Sequence, residues 1–296
     1  AASDVYKRQL ETNVDTTPFN IANLAYVPKD TSDRNRTSPF AFTGNKFEFR
    51  MVGSSRSAAT ANVILNTIVA DSLKSIGDEL QNYKYIDDIR KKALAICQDI
   101  LCRHKRILFS KDGYSQDWIK EASLRGLPNI ECYVDSISAL TSDKAVAMFE
   151  RNHVYSKNEL EARSEILYEE FVKEVKVEAS VLLDMSKKIL LPCLVKELKF
   201  YTDAAHSLGV ENAYYQKKIK RMVNLLNSFD EKYHILKHAL IDRRKCHNNE
   251  EKSKYLNAEV VGKMKDLRCI IDAIEEQVSA DSYPVPTYED LFTSIQ

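Results

Sequence analysis

The amino-acid sequence predicts an α+β protein: a short antiparallel β element near the start, then a long and mainly α-helical region containing a helical hairpin. Three observations carry this prediction. Residues 38–42 and 46–50 place phenylalanine at every second position, the period of a half-buried strand. From about residue 61 the apolar period changes to that of a helix. The 296 residues include 7 glycines and 7 prolines, too few for a loop-rich fold and in keeping with long helices.

In the β element, Phe40 and Phe42 share one side of the first strand, and Phe47 and Phe49 share one side of the second. These side chains are expected to be buried. Thr43-Gly44-Asn45 between the runs has the composition of a tight turn. Pro39 suits the start or edge of a strand. Lys46, Glu48 and Arg50 then fall together on the face opposite the phenylalanines. That face reads either as solvated charges paired with one another or as the lining of a cavity. In a cavity, a carboxylate binds a hard cation, a guanidinium forks a carboxylate or phosphate, and an ammonium neutralises phosphate. Arg34 and Arg36, one residue apart just upstream, can point to opposite sides.

The helices follow in order. Val63, Ile64, Ile68, Leu73, Ile76 and Leu80 form one stripe. Ile86, Ile89, Ala93, Ile96, Ile100 and Leu101 form the next, which closes on the basic cluster Arg103–Arg106. Cations there complement a helix C-terminus. Ser115 is placed to cap a short helix that Gly126 and Pro128 close, with Trp118 in the core. Ser142 and Ser156 are candidate caps for two more. One very long helical pattern spans about 157–203, and Pro192 within it predicts a kink or the end of a turn. Two further helices, about 211–245 and 249–278, form an antiparallel hairpin turning at Cys246–Asn249. The hairpin reads as simple packing or as an arm for subunit contacts. The last ten residues are expected to form a short helix.

Composition excludes several classes. With 43 Lys+Arg against 43 Asp+Glu the net charge is +0, which provides no footprint for nucleic acid or an anionic membrane. No run approaches the roughly 18 apolar residues of a membrane span, and no signal-peptide pattern opens the chain. The six cysteines form no CxxC pair and read as reduced thiols of a cytoplasmic protein. His234 and His238, four residues apart, could face one transition metal. They lack a Glu-x-x-His frame and sit beside Lys232 and Lys237, so they read as surface.

The run Asn35-Arg36-Thr37-Ser38-Pro39-Phe40-Ala41-Phe42-Thr43-Gly44-Asn45-Lys46-Phe47-Glu48-Phe49-Arg50 resembles the C-terminal active-site segment of glutamine synthetase, in the version carried by the type III enzymes. The resemblance continues through Val52–Ser55, Leu65–Ala70, His104–Ile107, Gly113–Ser115 and Arg125–Asn129. It implies ATP-dependent condensation of glutamate with ammonia, in which the γ-carboxylate is phosphorylated and ammonia then displaces phosphate. The cofactors implied are ATP and Mg2+ or Mn2+. By position, Glu48 would be a metal ligand, Arg50 would hold the substrate glutamate, Arg36 would bind phosphate, and Lys46 would be a cation near the nucleotide. The common bacterial form carries another arginine where this chain has Ala41, so that contact is not carried over. The resemblance also implies a homo-oligomeric ring.

The resemblance divides the chain into a probable non-native leader (1–9), the C-terminal part of a glutamine synthetase catalytic domain (10–80) and a helical C-terminal domain (81–296). Further metal-binding glutamates, a metal-binding histidine and a carboxylate guarding the ammonia site would precede residue 10. Glu11, Asp15 and Asp30 match none of them. The expectation is a C-terminal fragment that binds metal and ATP poorly, makes no glutamine alone, and exposes apolar sheet edges. The alternative is a non-catalytic helical oligomerisation or interaction module.

Overall fold

A computed structural model of the chain describes residues 16–17, 27–28, 40–42, 47–49, 57–109, 112–208, 212–286 and 288–293. Two antiparallel two-stranded pairings come first. Strand β1 (Thr16–Thr17) pairs with β2 (Val27–Pro28), and β3 (Phe40–Phe42) pairs with β4 (Phe47–Phe49). The β3–β4 register sets Phe40 against Phe49, Ala41 against Glu48 and Phe42 against Phe47. This is the hairpin that alternation predicted. Its burial differs from the prediction: Phe47 and Phe49 are 47% and 40% exposed, and Glu48 between them is the more covered residue. The two described strands are three residues each, too short to bury an apolar face by themselves.

The rest of the described chain is helical. Packing divides it into two units, Ala1–Glu131 with Asp143–Ser156, and Cys132–Ser142 with Lys157–Gln296. The boundary near residue 80 read from the sequence falls inside the first.

In the first unit, α1 (Ala59–Leu80) and α2 (Ile86–His104) are followed by a 3₁₀ turn at Lys105–Ile107 and then α3 (Gln116–Leu124). Ser115 Oγ accepts from the Trp118 N–H at 3.3 Å, the expected cap. At the other end of α3, Leu127 N–H reaches Ala122 O at 2.9 Å and Gly126 N–H reaches Ser123 O at 3.0 Å, with Gly126 at φ +67°. This left-handed closure is the reason for a glycine there. Arg125 fixes the preceding loop: its Nη1 donates to the Arg106 and Leu108 carbonyls, and its Nε donates to Glu121 at 2.8 Å. Its guanidinium lies 5.7 Å from the Trp118 ring centroid, and Phe109 packs on the same indole at 4.4 Å. Trp118, expected in the core, is only half-buried because it forms part of this surface stack.

Helix α5 (Asp143–Arg151) ends in the same closure without a glycine. Val154 N–H bonds Phe149 O, His153 N–H bonds Glu150 O, and His153 occupies φ 55°. A Cβ in the left-handed region is unfavourable. His153→Gly is expected to stabilise the chain by about 1 kcal/mol, read as a higher urea midpoint with unchanged slope.

In the second unit, α4 (Tyr133–Ile137) and a 3₁₀ turn at Ser138–Thr141 pack on α6 (Lys157–Met185), with Val134, Ile137 and Tyr168 buried between them. A π-helical turn at Ser186–Leu190 joins α6 to α7 (Leu191–Leu208). The kink expected from Pro192 takes this form. Proline has no N–H and its ring crowds the carbonyl one turn earlier, and a π turn widens the ladder at that point.

Helix α8 (Ala213–Asp242) is capped by Asn212, whose side chain accepts from Tyr214 N–H at 2.9 Å. The return arm is α9 (Asn249–Tyr255), a second π turn at Leu256–Val260, and α10 (Val261–Glu275). A reciprocal cap starts it: Asn248 Oδ1 accepts from Glu251 N–H at 2.8 Å, and Glu251 Oε2 accepts from His247 N–H at 2.9 Å. The predicted hairpin is therefore present. Its core joins Leu183, Leu190 and Leu194 to Met222, Phe229 and Leu236 and to Leu256, Leu267, Ile271 and Ile274. The short last helix is α11 (Tyr288–Thr293). No helix among the described residues is long and apolar enough to cross a membrane.

Candidate functional site

Of the four residues singled out by the sequence, Glu48 lies among the described residues; Arg36, Lys46 and Arg50 lie outside them. Glu48 occupies the centre of β4, opposite Ala41. It is half-buried although both strand neighbours are exposed. A partly covered carboxylate on a paired strand is a hard oxygen donor of the kind Mg2+ and Mn2+ prefer. Among the described residues, no group of three or more His, Cys, Asp or Glu side chains could hold a metal ion.

Two polar constellations were not visible in local sequence pattern. In the first unit, Arg151 forks Asp71, with Nε to Oδ1 and Nη2 to Oδ2 both at 2.8 Å, and Asn152 Nδ2 adds a third bond at 2.8 Å. Bonds from Arg151 and Asn152 hold the Asp71 carboxyl below the ordinary range. Asp71 and Arg151 border an open groove of about 230 Å³ with Lys74, Ser75 and Asp78. Its mixed charge suits no single ion. A pair separated by 80 residues leaves no trace in periodicity.

In the second unit, Glu197 of α7 is 6% exposed. Its Oε1 accepts from the Ser279 hydroxyl at 2.5 Å and the Ser279 N–H at 3.3 Å. Nearby, Lys218 donates to Gln277 Oε1 at 3.1 Å and lies 5.4 Å from the Tyr201 ring centroid, and Tyr283 Oη donates to Glu275 at 3.1 Å. The signal in the sequence was a glutamate at a position where the apolar stripe of α7 should continue. Together these bonds latch the segment after α10 onto the bundle.

Burial alone would raise the Glu197 carboxyl. The Ser279 and Ser282 hydroxyls, the Ser279 N–H and the Lys218 charge outweigh it, and the net direction is below the ordinary value of 4.5. A carboxyl depressed in the folded state contributes stability that is complete above its unfolded value and is lost as pH falls through its folded value. The urea midpoint is therefore expected to fall more steeply, as pH drops below the ordinary value of 4.5, for the native chain than for Glu197→Gln. At neutral pH the variant should be about 1 kcal/mol less stable. A native acid limb no steeper than the variant's would refute the latch.

Cys193, buried on the same helix, has its thiol pushed up by burial, which keeps it protonated and unreactive. His234 and His238 lie with ring centroids 6.1 Å apart on α8, and His234 Nε2 is 3.5 Å from Asp230.

Residues 92–208 match the family model described as the glutamine synthetase C-terminal domain. The chain is 35% identical over 290 residues to the type-3 glutamine synthetase of Dictyostelium discoideum. It is 29% identical over 297 residues to the glutamine synthetase of Bacteroides fragilis and 29% over 283 residues to that of Butyrivibrio fibrisolvens. These alignments cover 94%, 93% and 90% of this chain and 39% of each relative. The chain thus spans about two fifths of the length of the curated relatives it matches. The chain is thus similar to part of the type-3 glutamine synthetase, and its residues 92–208 match the glutamine synthetase C-terminal domain.

Proposed function

We propose that this chain contributes the C-terminal part of a glutamine synthetase active site, which ligates ammonia to glutamate at the expense of ATP through γ-glutamyl phosphate. The observation that carries the reading is the run Asn35–Arg50, which ends in a strand whose carboxylate Glu48 is half-buried, within a chain related along nearly its whole length to a type-3 enzyme. In this reading Glu48 helps hold Mg2+ or Mn2+, which when bound would screen the phosphate charges of ATP. Arg36 and Lys46 neutralise charge on the transferring phosphoryl group. Arg50 forks a carboxylate of the substrate glutamate. The phosphorus–oxygen bond to the γ-carboxylate forms as the bond to ADP breaks. Ammonia then adds at the acyl carbon, and inorganic phosphate and a proton leave.

We also assign the assembly to the cytoplasm and to a homo-oligomeric ring, by kinship. The second reading is a helical interaction module without catalysis; the helical bulk of the described chain favours it.

Two measurements separate the readings. The chain alone, given glutamate, ammonia and Mg-ATP, is expected to form no glutamine. A chimaera in which it replaces the matching part of the Dictyostelium discoideum enzyme is expected to form glutamine. A chimaera that assembles and stays inactive would leave the interaction module as the function.

A further inference from the structure

The groove between α1 and the end of α5 lies within one packing unit and is lined by Asp71, Lys74, Ser75, Asp78 and Arg151, with no apolar side chain among them. Two of its four charges are spent on each other. The Arg151 fork and the Asn152 bond occupy both carboxylate oxygens of Asp71. Lys74 and Asp78 are different. They stand four residues apart on α1, the spacing that closes into an ion pair at Lys157–Glu161 and Arg268–Asp272. Here it stays open: among the described residues neither side chain makes a hydrogen bond or an ion pair. The neighbouring carboxylate, Glu79, is taken by Lys92 at 3.0 Å.

Ser75 lies between them in sequence with its hydroxyl uncommitted. Thr67 and Ser72 on the same helix return their hydroxyls to the carbonyl four residues earlier, at 2.7 and 2.9 Å, the usual use of these residues inside a helix. Ser75 makes no such bond and borders the groove. The groove thus offers an ammonium, a hydroxyl and a carboxylate along about one turn of helix, roughly 5–6 Å. A lone cation is repelled by Lys74 and a lone anion by Asp78. A molecule that carries both charges close together satisfies both side chains at once, and in an α-amino acid the carboxylate and the ammonium share one carbon. The volume of about 230 Å³ lies below the ~300 Å³ at which pockets for drug-sized ligands begin, which admits an amino acid and excludes a nucleotide.

We propose that this groove binds a small α-amino acid as its zwitterion, with the carboxylate on Lys74, the ammonium on Asp78 and the Ser75 hydroxyl donating to the carboxylate. Recognition is of the head group, because the lining has no apolar wall to select a side chain. The proposal is independent of the catalytic reading, since it uses no residue of the run Asn35–Arg50.

Ligand-observed saturation-transfer NMR on the 296-residue chain tests it, with glycine as the probe and acetate and methylammonium as single-charge controls. Glycine should give a saturable signal with a Kd of about 1–10 mM, weak because the charges are exposed, and neither control should saturate in that range. Lys74→Gln and Asp78→Asn should each weaken glycine binding about five- to tenfold, the size of one exposed charge contact. Exchanging the two charges, Lys74→Asp with Asp78→Lys, should restore binding, because the zwitterion can lie in the reversed direction. Arg50→Lys should leave binding unchanged, which separates the groove from the catalytic segment. Lys74 and Asp78 are both exposed, and unchanged far-UV circular dichroism would establish that their variants are folded. Glycine without a saturable signal, a single-charge probe that binds as well, an exchanged pair that fails to bind, or a signal lost with Arg50→Lys would each overturn the proposal.

Discussion

Leu194→Ala is expected to lower the stability of the helical unit by about 2–5 kcal/mol. Leu194 has 0% exposure on α7, which packs on α8, and it belongs to the core cluster that includes Met222, Phe229, Leu236 and Ile271. Truncation there removes the transfer free energy of three carbons and leaves a cavity. A segment held by the π turn just before Leu194 and by the Glu197 latch just after it has little freedom to close the cavity. Since domains are stable by only about 5–15 kcal/mol, the variant should show a much lower urea midpoint. Leu124→Ala provides the contrast. That leucine is 86% exposed, and its loss should stay within about 0.5 kcal/mol. Equal effects of the two substitutions would mean that the described core is not the stabilising one.

Glu48→Gln, made in the active chimaera, is expected to reduce the rate of glutamine formation roughly 10²–10³-fold, the size of losing several kcal/mol of charge stabilisation. It should also raise the Mg2+ concentration needed for half-maximal rate. Glutamine keeps the shape of the side chain and removes its charge, so the β4 strand should persist. Arg50→Lys should separate from it in kinetics. A lysine keeps the charge but cannot fork a carboxylate, so KM for glutamate should rise more than kcat falls. A Glu48→Gln chimaera working within about tenfold of its parent would remove Glu48 from the metal site. A glutamate KM left unchanged by Arg50→Lys would remove Arg50 from substrate binding.

The helices were legible because their signals are local. Ser115, Gly126 and the Cys246–Asn249 turn sit where caps and closures form, and apolar spacing located α1, α2, α6 and the α8–α10 hairpin. The hairpin β3–β4 was legible from its period of two, and its register brings Glu48 opposite Ala41. Its burial was not legible, because alternation says which residues share a face and not which face is covered. Phe47 and Phe49 were assigned to the inside on hydrophobicity, and the structure leaves them largely open. The Asp71–Arg151 clamp and the Glu197–Ser279 latch join residues about 80 positions apart, beyond the reach of any local pattern. Pro192 signalled an irregularity in the right place. That it is a widened turn and not a break follows from Leu190, Cys193 and Leu194, whose burial keeps the chain helical on both sides.

The widened turn at Ser186–Leu190 also limits how the gene for this protein can vary in length. One residue of helix is about 100° of rotation. Deleting a single residue between 186 and 190 would tidy the local ladder and at the same time swing everything downstream. Leu194 would leave its place in the bundle, and Glu197 would face away from Ser279. The added residue thus acts as an angular offset between two halves of a rod.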